Sequence, residues 1–442
     1  MTQRCPERKA VVAAILGRGS AMSRAEMSAA AAILKHAERC ADCLRVIEAA
    51  DRLSRAYGEG IDADTFAVAV HEHVDRILAR TRVHRWPTEA ASDPTMQHEE
   101  VIQYLRACAN RVADSDVRRA TDYAGAAAAI AEKLFAHGQI AADLMIETLR
   151  DHSTALRNAS MYGAALTTLT TAESLTERAE DPRLQRAILR LCRAILLADA
   201  NVCQFDEADT LAAECESELG GRDARRAAIA TYVRAGVRRL GGRSAEALGY
   251  YERARDGFAA AVGESSVDAA LAQEGVAACL VGTGRQAEAR PLLISCREVF
   301  ERLDMRAEVA RTKWHEARAD ARDGEFDRAI DGLHSVARAF LDIRMFDDWV
   351  RVRLEIVGVM LERDPGANVA DICESIAAMS ISLDEREPNR SHRCTAEALE
   401  YLRQSARRQM ATSALTGYVQ GYIAAADAGR FAPFVPPSAL VM

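Results

Sequence analysis

From about residue 99 onward every segment of this chain places apolar residues at spacings of three and four, and none shows strand-like alternation. That period predicts helices in series. Shorter amphipathic segments precede them. Pro6 suits the first position of a helix over about 6–17, with Val11, Val12, Ile15 and Leu16 as its apolar stripe. Gly17 to Ser20 breaks it, and Ser23 followed by Glu26 has capping-box spacing that opens a second helix lined by Met27, Ala30, Ala31 and Leu34. A third, over about 41–56, carries Leu44, Ile47, Ala50 and Leu53. Phe66, Val70, Val74, Ile77 and Leu78 mark one more helix, and Trp86 to His98 reads as a linker. Beyond the series, Asp384 to Arg393 reads as a charged loop.

Within the series the second half of each segment aligns on a small residue. Ser160-x-Tyr162-x-x-Ala165 leads to Leu169 and Ala172, and Cys203-x-Phe205-x-x-Ala208 leads to Ala212 and Cys215. Gly242-x-Ser244-x-x-Ala247 leads to Tyr251 and Ala254. Gly284-x-Gln286-x-x-Ala289 leads to Leu293 and Cys296, and Gly324-x-Phe326-x-x-Ala329 to Leu333 and Val336. The alanines are 43, 39, 42 and 40 residues apart. This pattern resembles the tetratricopeptide repeat, in which glycine turns the chain between antiparallel helices and alanine sits where two helices touch. The resemblance implies a right-handed superhelical solenoid of hairpins. A period above the usual one predicts helices longer by nearly a turn.

Bulk numbers agree with a folded chain. Of its 442 residues, 49% are apolar, 28% charged and only 5% aromatic, so close packing through small side chains is expected. The net charge of −8 argues against wholesale nucleic-acid binding, and no direct nucleic-acid partner is expected. No run of 18 apolar residues predicts a membrane span, and the start MTQRCPERK lacks the apolar core of a signal peptide. Eleven cysteines, an odd number without secretory context, fit a reducing cytoplasm. Most of them, such as Cys203, Cys215 and Cys296 at repeat positions, read as small buried hydrophobes.

One cluster carries metal-ligand chemistry. His36 and Cys40 are one helical turn apart and Cys43 follows a turn later. With a cysteine near the start of the chain, this His-x3-Cys-x2-Cys run resembles the zinc-binding anti-sigma family, a small helical module. The resemblance implies that Cys5, His36, Cys40 and Cys43 hold one structural Zn2+, and that the module binds a sigma factor. One imidazole and three thiolates suit tetrahedral zinc. The nearby His71, His73 and His84 are expected to be surface residues.

The expected organisation is all-α. A zinc-type module of three short helices fills 1–56, a helix and linker 57–98, tetratricopeptide-like repeats 99–380 (clearest at 140–340), and capping helices with a tail 381–442. In that repeat fold the first helix of each hairpin lines the groove. Counting back from the anchor alanines places Arg150, Arg157, Asn158, Arg190, Arg193, Tyr232, Arg239, Arg311, Trp314, Arg318 and Arg322 there, which would favour an acidic or C-terminal carboxylate-bearing peptide. No phosphate loop, nucleophile elbow or paired-carboxylate motif is present, so an enzyme is not expected. Two functions stay open. One is a cytoplasmic regulator whose zinc module binds a sigma factor while the array takes a protein or peptide; the other is a general tetratricopeptide scaffold.

Overall fold

The computed structural model describes residues 63–81, 85–113, 115–199 and 202–387, together with 394, 395, 397, 398, 400 and 401. No strand occurs among them. The expected zinc-type module lies outside the described residues, as does His84. No helix among the described residues is long and apolar enough to cross a membrane.

The chain falls into two compact units. The first takes in the described residues up to Arg111, with Arg119–Ala155 and Ser174–Glu180. It contains α1 (Ala63–Arg80), α2 (Trp86–Ser92), α3 (Glu99–Val112) and most of α4 (Val117–Ala136) and α5 (Ala142–Asn158). Ala126, Ala127, Ile130 and Ala131 of α4 are fully buried, as are Ile102 and Leu105 of α3 and Ile146 of α5. Small side chains on α4 let its neighbours approach closely.

The expected linker is structured instead. Trp86 opens α2 and is buried, and Met96 in the following 3-10 turn is fully buried. The Trp86 indole N–H donates to the Leu78 and Thr81 carbonyls, at 3.1 and 3.2 Å. These carbonyls belong to the last turn of α1 and the residue after it, where the helix leaves them without intrahelical partners. The Trp86 ring meets that of Tyr123 at 5.0 Å. His71 stacks on Tyr104 at 3.9 Å and His73 shares a 2.7 Å hydrogen bond with Thr95. Both therefore join segments of this unit.

The second unit takes in Val112–Arg118, Leu156–Glu173 and the described residues from Asp181 on. After α6 (Tyr162–Ser174) come five antiparallel hairpins: α7 (Pro182–Leu197) with α8 (Phe205–Leu219), α9 (Ala224–Leu240) with α10 (Ser244–Val262), and α11 (Val267–Gly282) with α12 (Gln286–Arg302). Then follow α13 (Arg306–Arg322) with α14 (Phe326–Asp342) and α15 (Phe346–Arg363) with α16 (Ala370–Arg386). From α7 to α16 each helix packs on its neighbours in sequence, and α7 also touches α9, α9 touches α11, and α11 touches α13. This is an all-α solenoid of hairpins, with the first helices in mutual contact. α16 runs on through Arg386, so the chain is helical into the segment expected to be a charged loop.

The repeat alignment explains the packing. All five anchor alanines (Ala165, Ala208, Ala247, Ala289 and Ala329) are fully buried, and the positions four and seven residues later are 2% exposed or less. The residue five before each alanine takes a left-handed backbone: Ser160, Cys203, Gly242, Gly284 and Gly324 have φ of 61°, 60°, 79°, 80° and 79°. There the chain leaves one helix and turns into the next. The amides of Met161, Arg243, Arg285 and Glu325 reach back to the carbonyls of Leu156, Arg238, Leu280 and Asp320 at 2.8–2.9 Å. These bonds satisfy carbonyls that the helix end leaves open.

Helix starts are capped differently. Asp181, Asp223 and Ser266 accept from the amides of Leu184, Arg226 and Ala269, capping the first helices α7, α9 and α11. Two bonds also join parts of this unit far apart in sequence. The Tyr162 hydroxyl donates to Asp347 at 3.2 Å, and the Gly163 amide donates to Glu387 at 2.7 Å.

Candidate functional site: the charged inner face of the repeat array

The first helices α9, α11, α13 and α15 converge on one group of charged and aromatic side chains in the second unit. Glu308, Arg311, His315 and Arg318 lie at helical spacings on α13, and Asp348, Arg351 and Glu355 do the same on α15. Arg311 bonds Glu308 one turn before it and reaches Asp348 at 3.5 Å. Arg318 grips Glu355 with two hydrogen bonds of 2.7 and 2.6 Å, the fork geometry that makes arginine–carboxylate pairs strong. The Trp314 indole donates to the same carboxylate at 2.6 Å. The guanidinium groups of Arg318 and Arg351 lie over the Trp314 ring at 4.5 and 5.2 Å. Trp314 itself is buried and meets Phe340 edge-on at 6.0 Å.

Towards α9 the site becomes aromatic. Tyr232 meets Tyr251 edge-on at 5.3 Å, and Arg239 donates through Nε to the Tyr251 hydroxyl at 3.3 Å. Gly275 on α11 makes room for that ring, since a Cβ there would fall 2.3 Å from Tyr251 Cδ1. Glu274, 6% exposed, accepts from Thr312 at 3.3 Å. Burial and then the neighbouring Glu308 push the Glu274 carboxyl up to about 8, against the pull of Arg311 and Arg239. Burial, and then Arg318, Arg239, Arg351 and Arg311, hold the His315 imidazole well below its ordinary range. It is a neutral ring among cations. Its Nδ1 is buried with no hydrogen-bond partner among the described residues.

Of the residues expected in the groove, the structure brings together Tyr232, Arg239, Arg311, Trp314 and Arg318. The others lie elsewhere. Arg150 belongs to the first unit, where it pairs with Asp151 at 2.9 Å. Arg157 donates to Asn158 at 2.8 Å. Arg190 turns to Glu218 of α8 and Arg193 to Glu173 of α6, at 3.1 and 2.8 Å, so both are tied to second helices. Arg322 is exposed at the end of α13. Glu274, Glu308, His315, Asp348, Arg351 and Glu355 were not among the expected site residues. For Glu308, Asp348 and Glu355 the signal was present, because they share the helical stripes of arginines on α13 and α15; Glu274 lies on α11, which has no arginine.

This changes the electrostatics of the site. The arginines of α13 were expected to attract an acidic ligand, but Arg311 and Arg318 already face carboxylates. Two repeat cysteines are poor nucleophiles: Cys215 and Cys296 lie 3.3 and 3.4 Å from helix carbonyls, and burial pushes both thiols up to about 12. The expected zinc ligands Cys5, His36, Cys40 and Cys43 lie outside the described residues. Among the described residues no group of His, Cys, Asp and Glu could hold a metal ion.

No protein-family model matches the chain, and no curated protein matches it. Solved structures do. A Rap protein complexed with Competence and Sporulation Factor is 12% identical and aligns over 77% of this chain and 98% of its own, with a TM-score of 0.46. The Rap conjugation gene regulator of plasmid pLS20, in complex with the Phr* peptide, is 14% identical and aligns over 87% of this chain and 97% of its own. At a TM-score of 0.52, the fold of this chain is similar to that of the plasmid regulator.

Proposed function

We propose that this chain is a protein-interaction regulator or scaffold whose repeat array takes a short peptide segment on the inner face of α9, α11, α13 and α15. The observation carrying this reading is the convergence of half-buried charges and aromatic rings on first helices that touch one another. A globular core gains little from burying so many charges, whereas an extended ligand needs such donors, acceptors and ring faces in a row. The plasmid regulator of similar fold is described in complex with a peptide, which supports the same reading here. The activity is binding, without catalysis.

Affinity selection of a random short-peptide pool on the immobilised full chain tests this. Enrichment by the wild type and its loss in Glu355→Gln and Arg318→Gln are expected, with Arg190→Gln selecting as the wild type does. Equal selection by all four proteins would place the binding face elsewhere.

The zinc expectation belongs to the same proposal. Cys5, His36, Cys40 and Cys43 offer three thiolates and an imidazole for one structural zinc ion, and a sigma factor is the partner that their resemblance suggests. Native mass spectrometry of the full chain before and after chelator should show loss of one zinc. An unchanged mass removes zinc from the proposal.

A further inference from the structure

Between its own two helices the α7–α8 hairpin holds a cleft of about 500 Å³. Arg183, Arg186 and Arg190 line it from α7, at spacings of three and four that share one helical face, and Arg222 lines it from the turn after α8. Its apolar lining is Leu184, Ala187 and Leu219, the last two buried. Glu218 is the one carboxylate among the lining residues, and Arg190 takes it at 3.1 Å. Arg222 reaches Asp181, the cap of α7, at 3.4 Å. Arg183 is exposed and makes no ion pair among the described residues. Four arginines thus gather against two acids. Guanidinium groups brought together in this way repel one another, and an anion seated among them removes that repulsion. Such an excess is not general to this arginine-rich chain. The cleft of about 290 Å³ lined by α13 and α14 sets Arg306 and Lys313 against Glu301 and Asp304. On α9, Arg225, Arg226, Arg234 and Arg238 each have a carboxylate partner.

We propose that this cleft binds a phosphate monoester dianion, held by Arg183, Arg186 and Arg222. The surplus of two positive charges matches the charge that a monoester carries at neutral pH, whereas a carboxylate supplies one. Guanidinium forks also suit phosphate oxygens, which they can take two at a time. Arg190 keeps to Glu218 and stays out of the grip. The cleft is much larger than one phosphoryl group, so the rest of the ligand has room beside Leu184, Ala187 and Leu219. No aromatic ring lines it, so a nucleobase gains no stacking there and a nucleic-acid strand is disfavoured. A phosphorylated small molecule and a phosphorylated side chain of a partner protein both present the required group. The site does not depend on the peptide-binding reading, since none of its residues belongs to α9, α11, α13 or α15.

Isothermal titration calorimetry of the full chain at fixed ionic strength tests this with inorganic phosphate, glucose 6-phosphate, an acetylated and amidated phosphoserine peptide, and acetate. Binding of phosphate and of at least one ester is expected, with acetate silent. Tighter binding of glucose 6-phosphate than of the peptide supports the proposal and identifies a small molecule as the source; the reverse order supports it and identifies a phosphorylated side chain. Affinity should rise between pH 5 and 7, as the monoester takes its second charge with a pKa of about 6. Arg183→Gln and Arg222→Gln should each weaken the tighter ester by about tenfold, the loss expected for a charge-assisted bond. Arg255→Gln, whose side chain pairs with Asp256 on α10, should bind as the wild type does. If Arg222→Gln loses stability because Asp181 loses its partner, Arg183→Gln, which breaks no ion pair among the described residues, carries the comparison. Acetate binding as tightly as phosphate, phosphate binding without either ester, an affinity that ignores pH, or an equal loss in Arg255→Gln overturns the proposal. So does an oligothymidylate that binds where the monoesters do not. Failure of every probe to bind overturns it too and leaves the inner-face reading untouched.

Discussion

Ser160 and Cys203 hold a backbone conformation, at φ of 61° and 60°, that Gly242, Gly284 and Gly324 occupy in the later repeats. A side chain there costs roughly 1–2 kcal/mol, because its Cβ crowds the following carbonyl. Ser160→Gly and Cys203→Gly should therefore each stabilise the array by up to about 1 kcal/mol, less the extra freedom glycine gives the unfolded chain. Urea unfolding midpoints measure this. Glu274 gives a pH prediction. Its folded carboxyl titrates above the unfolded one, so the folded state holds the proton longer, and stability declines as pH rises from the ordinary carboxylate range to about 8. Glu274→Gln should flatten that decline and raise the melting temperature at pH 8 relative to the wild type. An unchanged pH profile would mean that Glu274 ionises as an exposed carboxylate does.

Among the elements, the two helices of each of the first three hairpins begin in different ways, whereas the first helices α13 and α15 start uncapped after left-handed Asp304 and Arg344. First helices α7, α9 and α11 start on a side-chain cap, whereas the second helices α8, α10, α12 and α14 start without one, straight after a left-handed residue. Asp181→Ala, Asp223→Ala and Ser266→Ala should each cost about 1 kcal/mol of stability, measurable by chemical unfolding. Ala substitution at Arg243 or Arg285, which precede α10 and α12 without a cap bond, should cost much less. The hairpins were legible in the sequence because an alanine at the closest helix contact and a glycine in the left-handed turn leave a fixed spacing. Trp86 was not legible as a core residue. Its helix of 7 residues is too short for a period to show, and the carbonyls that hold the indole belong to the end of another helix. The inner face was half legible. A stripe of arginines reads as an anion groove until the carboxylates of the next first helix are set against it, and only the fold decides which helices face each other.

For the second unit as a whole, the two long-range bonds of Tyr162 and Gly163 have a thermodynamic consequence. A stack of repeats in which each unit meets only its neighbours behaves as a one-dimensional chain, and its end repeats can fray independently. Here α6 bonds Asp347 and Glu387, at the start of α15 and just past α16, so the first helix of the series cannot leave without breaking contacts made by the last hairpin. Tyr162→Phe with Glu387→Ala should cost about 1–2 kcal/mol by the loss of these bonds. More tellingly, amide hydrogen exchange in α6 and α16 should accelerate ahead of exchange in α11, whereas in the wild type the two end helices exchange together. Partial unfolding from either end is thereby coupled to unfolding from the other, which would let a repeat protein resist fraying as one cooperative body.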